Sequence, residues 1–281
     1  MELSPATRRQ HESILNVLEE KGHIERKDGK VIVYPCCLDY ILGVVVNPGT
    51  RKNYLAALLR VATGTEEELK PFRELQKKTH EWLNNQRIQQ TLPHHRLDQM
   101  LTWAEVLGLR NKATAMLSPE EYLIYCLYTL TPPVRCDYWN MKVVKYLTEK
   151  CKTDKKWNYC AIHKNDAFFQ FNVYKTSSTY GPKTFPVSDE LFAVLKDRPC
   201  GRLLETVDTA NKLSKAVVSI FEKLAGKSMG IGLLRHSYIT TFLSQPRRLV
   251  ERIELAEMMF HSWTTQEEYH IIENDTDGDS G

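Results

Sequence analysis

In the second half of this 281-residue chain, two arginines, a lysine, a histidine and a tyrosine follow one another as Arg135, Lys175, Arg235, His261 and Tyr269. Together they amount to a set of cations and one hydroxyl. Guanidinium and imidazole groups stabilise negative charge that develops on oxygen where water is excluded. A tyrosine oxygen can act as a nucleophile that links its target to the protein, and a lysine can hand a proton to a leaving group. Taken singly, each has an ordinary reading: the arginines as surface or ion-pair residues, Lys175 as a turn residue, His261 as a helix terminus, Tyr269 as an interface aromatic. Their order and spacing are what single them out.

The elements that must position them read as a mainly α chain with a small β-sheet, an α+β class, in two domains. Residues 1–112 read as helices. Ser4-Pro5-Ala6-Thr7 supplies a cap and a first-turn proline, and Ile14, Leu15, Val17 and Leu18 recur at helical spacing. A polar turn at Lys27-Asp28-Gly29-Lys30 follows, then an apolar stretch from Cys36 to Val46, and Asn47-Pro48-Gly49-Thr50 opens a further helix. A long charged helix runs from Thr65 to about Gln90, and a short one starts at Trp103. Asn111 to Leu117 reads as a linker, and Ser118-Pro119-Glu120-Glu121 as a new helix start, so the second domain is 113–281. In it, Phe168 to Tyr174 alternates like a strand and pairs with Lys183 to Val187 as a hairpin, before helices broken at Gly226 to Gly232 and at Pro246.

Composition bounds the function. With 42% hydrophobic and 26% charged residues the chain has the make-up of a folded globular protein. Its longest apolar runs, such as Tyr40 to Val46, fall far short of the roughly 18–20 residues that cross a bilayer, so neither membrane insertion nor secretion is expected. Seven scattered cysteines point to free thiols in an intracellular, reducing compartment. Cys151, Cys160 and His163 come nearest to a zinc spacing but lack a fourth ligand, so no metal and no other cofactor is expected. The 38 Lys and Arg face 35 Asp and Glu, six of which lie in residues 265–281; elsewhere 38 cations meet 29 acids. A basic body with an acidic, solubilising tail suits a polyanionic partner.

Two C-terminal boxes carry a family resemblance. Leu233-Leu234-Arg235-His236-Ser237-Tyr238-Ile239-Thr240-Thr241 resembles the Leu-Arg-His-(Ser/Thr) box of the tyrosine recombinases, the integrase-like DNA strand-transfer enzymes. Met259-Phe260-His261-Ser262-Trp263-Thr264-Thr265-Gln266-Glu267-Glu268-Tyr269 resembles their Gly-His-Ser…Thr-Gln-x-x-Tyr box. Pro132-Pro133-Val134-Arg135-Cys136-Asp137-Tyr138 stands in the place of the first arginine motif and Val173-Tyr174-Lys175-Thr176 in that of the Lys-Thr turn. The double proline, the Lys-Thr-Ser hairpin and the eight-residue step from His261 to Tyr269 are most similar to recombinases of large DNA viruses, virophages and related eukaryotic mobile elements.

The resemblance implies a helical core-binding domain and a catalytic domain closing as a C-shaped clamp on double-stranded DNA. It implies a homo-tetramer on paired sites, compatible with a monomer when free, and a host nucleus if the source is a eukaryotic virus or element. Arg135 and Arg235 would hold the phosphate and Tyr269 would form a 3′-phosphotyrosine. Lys175 would protonate the leaving 5′-oxygen, and His261 would donate to the phosphate or help deprotonate Tyr269. Asp137 would orient Arg135. Arg51, Lys52, Thr176 and Lys183 are candidate DNA contacts, with Arg8, Arg9, Lys77 and Lys78 among further phosphate neighbours.

The chain departs from the pattern in two places. Gly232 stands where the family usually has His or Lys, so an acid/base group is absent or supplied from elsewhere, and Phe260 stands where Gly usually precedes the histidine. His236 is expected to be structural and to pack inside. Twelve residues follow Tyr269, little material for a helix that docks on a neighbouring subunit. Two alternatives stay open: a type IB topoisomerase-like relaxing enzyme, and a domesticated DNA-binding protein that has lost strand cleavage.

Overall fold

The computed structural model describes residues 3–271, so the acidic tail beyond Glu267 and Glu268 lies outside the described residues. The chain divides into two compact units, Met1–Gln89 and Gln90–Gly281.

The first unit contains α1 (Pro5–Glu20), β1 (Ile24–Lys27), β2 (Lys30–Val33), α2 (Cys36–Gly43), α3 (Pro48–Val61) and α4 (Glu66–Ile88). Three of its helices start on side-chain caps: Ser4 accepts from the Thr7 amide, Asn47 from Thr50, and Thr65 and Glu68 close a reciprocal capping box. Ile14, Leu15 and Leu18 of α1 meet Ile41, Leu55, Leu58 and Phe72 in one apolar cluster. This half is not all helical. β1 and β2 pair antiparallel, with Lys27 opposite Lys30. Asp28 and Gly29 between them take φ values of 51° and 73°, the doubly left-handed turn that Asp-Gly favours because it matches strand twist.

The second unit runs α5 (His94–Leu97), α6 (Trp103–Gly108), α7 (Arg110–Met116), α8 (Pro119–Thr129), β3 (Met141–Val144), α9 (Glu149–Thr153), β4 (Asn158–Ile162), β5 (Ala167–Phe171), α10 (Ser177–Tyr180), β6 (Lys183–Pro186), α11 (Asp189–Leu195), β7 (Gly201–Arg202), α12 (Ala210–Ala225), α13 (Ile231–Leu243), α14 (Leu249–Met258) and α15 (Trp263–Glu267). Five strands form one sheet in the order β6-β5-β4-β3-β7, with β3 and β4 parallel and the other pairs antiparallel. The β5–β6 hairpin sets Phe169 opposite Phe185. α8 is buried along seven consecutive residues, Leu123 to Thr129, which makes it the central helix of this unit's core.

Residues 90–112, read from sequence with the first half, pack with this second unit. Tyr125 donates its hydroxyl to the Val106 carbonyl at 2.7 Å, and Trp103 meets Tyr238 edge-on at 4.8 Å. Nor is Asn111 to Leu117 a linker: most of it belongs to α7, whose Ala113 is fully buried. Among the described residues no helix is long and apolar enough to cross a membrane.

Candidate active site

α13 delivers three side chains to one place. His236 and Thr240, four positions apart, share one helix face, and Arg235, His236 and Thr240 all reach the C-terminal segment. Arg235 is 1% exposed, the largest fully buried side chain described. One terminal nitrogen donates to the Pro133 carbonyl at 2.7 Å and the other to the Met259 carbonyl at 3.3 Å. The arginine thereby ties the double-proline turn to the end of α14. Its guanidinium carbon lies 4.8 Å from the ring centre of Tyr269, and its Nε is buried without a partner.

Tyr269 follows α15, a short helix capped by Ser262, which accepts from the Thr265 amide. The Tyr269 amide donates to the Gln266 carbonyl at 3.0 Å. Its own carbonyl is held by His236 Nδ1 at 2.8 Å, and two residues on the Ile271 amide donates to the Thr240 hydroxyl at 2.9 Å. His236, expected to pack inside, is half-buried at the site rather than in the core. Burial pushes its imidazole down to about 4 against the pull of the Tyr269 carbonyl. For Tyr269 the balance goes the other way. Burial would raise its phenol, but the charge and side-chain hydrogen bond of Arg235, and then those of Arg135, outweigh that and leave it below the ordinary tyrosine value.

His261 stands beside this phenol, its ring centre 5.6 Å from that of Tyr269. α14 ends in a Schellman motif: the His261 amide donates to the Ala256 carbonyl at 3.1 Å and the Phe260 amide to Glu257 at 3.2 Å. Phe260 therefore takes φ 59°, which costs a side chain with a Cβ on the order of 1–2 kcal/mol. Burial, with Arg235 and Arg135 nearby, pushes the His261 imidazole down to about 3. It is neutral at working pH. Its Nδ1 lies 3.1 Å from the Ser262 carbonyl, which can only accept, so the ring proton sits there. Nε2 is left as a buried lone pair with no partner, the state required of a base.

Arg135 is half-buried in the bend between α8 and β3, where its carbonyl accepts the Tyr128 hydroxyl at 2.7 Å. Asp137 is buried within electrostatic range of both arginines; burial pushes its carboxyl up to about 6 although they pull it down. No ion pair joins Asp137 to Arg135 among the described residues; charge and a hydrogen bond from the Arg135 backbone link the two. Because the folded state holds this proton more tightly than the unfolded chain, stability rises as pH falls through about 6 and the full gain is present below the unfolded value. Asp137→Asn removes that step. Urea unfolding is expected to show the variant more stable than wild type at pH 8, by on the order of 2 kcal/mol, with the difference closing towards pH 4.

A residue that sequence reasoning passed over holds these loops together. Asn158, fully buried at the start of β4, donates to the carbonyls of Asp137 at 2.8 Å and Val173 at 3.0 Å and to Asn140 Oδ1 at 3.0 Å. Its own oxygen accepts the amides of Asn172 at 2.9 Å and Val173 at 2.8 Å. One side chain joins the Arg135 segment to the one leading to Lys175. Asn158→Ala strands several buried backbone groups, and urea titration should show a loss of about 3–4 kcal/mol. No motif marks this residue; only its place between two loops gives it a role.

The other candidates lie at different distances from this centre. Lys175 is exposed on its turn, with no side-chain partner among the described residues. Thr176 donates its hydroxyl to the Phe260 carbonyl at 3.0 Å. Lys183 pairs with Glu257 at 3.5 Å and lines a cavity of about 210 Å³ that also borders His261, Phe260 and Trp263. In the first unit Arg51 donates to the carbonyls of Val45 at 3.1 Å and Leu42 at 3.2 Å, closing off the end of α2, and Lys52 is half-buried. A Cβ at Gly232 would lie 3.6 Å from the Arg96 guanidinium. That group adds positive charge but cannot exchange a proton. Among the described residues no cluster of His, Cys, Asp and Glu could hold a metal ion.

No family model matches the chain, and no curated protein matches it. Among solved structures it is similar to one described as XerA recombinase, at 14% identity over 97% of this chain and 89% of that one, with a TM-score of 0.42. It is also similar to a protelomerase covalently complexed with substrate DNA, at 14% identity over 96% and 88% of the two chains, with a TM-score of 0.41. Both likenesses are loose, and the chemistry rests on the site itself.

Proposed function

We propose that this chain is a site-specific DNA recombinase or integrase that cleaves and rejoins duplex DNA through a covalent bond to Tyr269. The observation that carries the reading is a phenol held below its ordinary pKa despite burial, lying against buried Arg235 and beside a neutral histidine with a free lone pair. A scissile phosphate suits the unpartnered Nε of Arg235 and the charge of Arg135, donors whose hold strengthens as the phosphorus gains a fifth oxygen. Tyr269 Oη attacks phosphorus, its proton passes to His261 Nε2, and the bond to the 5′-oxygen breaks as Lys175 supplies that oxygen with a proton. The phosphotyrosine keeps the energy of the broken bond, so a 5′-hydroxyl can reverse the step and reseal the strand without ATP. Exchange between two duplexes would assemble four copies on paired sites.

Covalent trapping tests the reading. The full chain is incubated with duplexes that it demonstrably binds, nicked so that the short fragment bearing the new 5′-hydroxyl diffuses away. A denaturation-resistant protein–DNA adduct is expected, with the nucleotide mapped by proteolysis and mass spectrometry to the peptide containing Tyr269. Binding without any adduct would favour the DNA-binding module that has lost cleavage. Given an adduct, transfer of the strand to a second duplex distinguishes recombination from relaxation.

A further inference from the structure

The end of α14 places a bulky ring where helix geometry favours glycine. Phe260 occupies the left-handed position of the Schellman motif, at φ 59°, and a glycine there would keep both closing hydrogen bonds without a Cβ in the way. The reason for the ring lies in what it touches. It is 3% exposed, stacks on Tyr174 with centres 4.2 Å apart and planes 24° apart, and meets Phe171 edge-on at 4.8 Å. On the backbone side its carbonyl accepts the Thr176 hydroxyl at 3.0 Å. Tyr174 and Thr176 are the two sequence neighbours of Lys175. The Tyr174 hydroxyl in turn donates to the Gly181 carbonyl at 2.5 Å, so the far end of the same loop is fastened too. Lys175 itself is exposed between these two anchored residues.

We propose that Phe260 is a positioning residue for Lys175: it clamps the turn on both sides of the lysine to the helix end that carries His261, so that the ammonium approaches the leaving oxygen from a fixed base. The inference rests on the reading of Lys175 as proton donor in the cleavage proposed above. Aromatic contacts offset the left-handed strain, and glycine would forfeit them while improving the helix end. Phe260 therefore serves the loop that it grips more than the helix that it terminates.

The test uses the full chain and two nicked duplexes that differ only at the mapped cleavage position, where one has its bridging 5′-oxygen replaced by sulfur. A thiolate leaves without needing a proton, so a defect confined to proton donation disappears on that substrate. Phe260→Gly keeps the helix end and removes the ring; Phe260→Leu keeps apolar bulk, and hence the fold, without a ring to stack. On the oxygen substrate, adduct formation is expected to fall about 10-fold or more with Gly and about 3-fold or more with Leu. On the sulfur substrate both should return to within about threefold of wild type, as should Lys175→Ala. Equal losses on the two substrates, or no loss with Phe260→Gly, would overturn the proposal. So would a Lys175→Ala defect that sulfur leaves uncorrected, since the lysine would not then be the donor. A wild-type chain that forms no adduct with either duplex overturns the Tyr269 reading itself, and this inference with it.

Discussion

Tyr269→Phe is expected to abolish the covalent adduct while leaving DNA affinity within about twofold of wild type and the melting temperature within about 2 °C. The substitution removes one oxygen. The ring remains over the Arg235 guanidinium, and the backbone stays pinned by His236 and, through Ile271, by Thr240. The phenol does hydrogen-bond the Arg235 and Arg135 side chains, but the bonds that pin the backbone, to His236 and Thr240, do not use it. Phosphate binding should also survive, because the cations that perform it are untouched. Only the atom that must bond to phosphorus is lost, and a positioned nucleophile has no substitute in a phenyl ring. Gel-shift titration and denaturing electrophoresis of trapped complexes, run in parallel, measure the two quantities. An adduct that persists in the Phe variant would move the nucleophile elsewhere, with the hydroxyls of Ser262, Thr264 and Thr265 the first to test in the preceding segment.

Arg235→Lys should cost about 10²–10³-fold in the rate of adduct formation, and should destabilise the second unit as well. The arginine presents two terminal nitrogens to carbonyls in different loops, Pro133 and Met259, and still has Nε to offer a phosphate. A lysine keeps the charge as a single point and cannot span the three positions. One buried carbonyl loses its donor, worth about 1–3 kcal/mol, which for a chain of this size lowers the melting temperature by roughly 2–4 °C per kcal/mol. The rate loss should remain when cleavage is measured well below the variant's melting temperature. If the rate instead follows the folded fraction alone, Arg235 holds loops together and does not act on the phosphate. The same variant should raise the apparent pKa of Tyr269, since the charge stays but the Arg235 side-chain hydrogen bond that helps to lower the phenol is lost. Ultraviolet titration of the phenol, with Tyr269→Phe as the blank, reads that shift directly.

Much of the local structure could be read from the residues. Ser118 with Pro119 and Glu121 foretold the start of α8, Thr65 the start of α4, and the Phe168–Tyr174 alternation the β5–β6 hairpin, because caps and two-residue periodicity act over a few positions. The Asp28-Gly29 hairpin was equally local and was passed over: the flanking Ile24–Lys27 and Lys30–Val33 are four residues each, too short for alternation to stand out among helical neighbours. β3, β4 and β7 are also short, and their pairing spans the chain from 141 to 202, so no window of neighbouring residues reveals it. Residues 90–112 joined the second unit for a similar reason, since the partners that bury Trp103 and Val106 are supplied by α8 and α13.

For the site, the sequence by itself determined which chemical groups are present and their order along the chain: the cations, one imidazole and the phenol are covalent facts, and helical spacing already set His236 and Thr240 on one face. What those groups can do was decided only by the tertiary structure. Proton affinities depend on desolvation and on charges brought close through space. Burial at the end of α14 keeps the His261 imidazole neutral, and two guanidiniums, one from α13 and one from the bend before β3, lower the Tyr269 phenol against its own burial. Asn158 acquires its role from two loops that no spacing rule connects. Phe260, a departure when read as a letter beside His261, becomes in three dimensions the contact between that histidine's helix and the turn that bears Lys175.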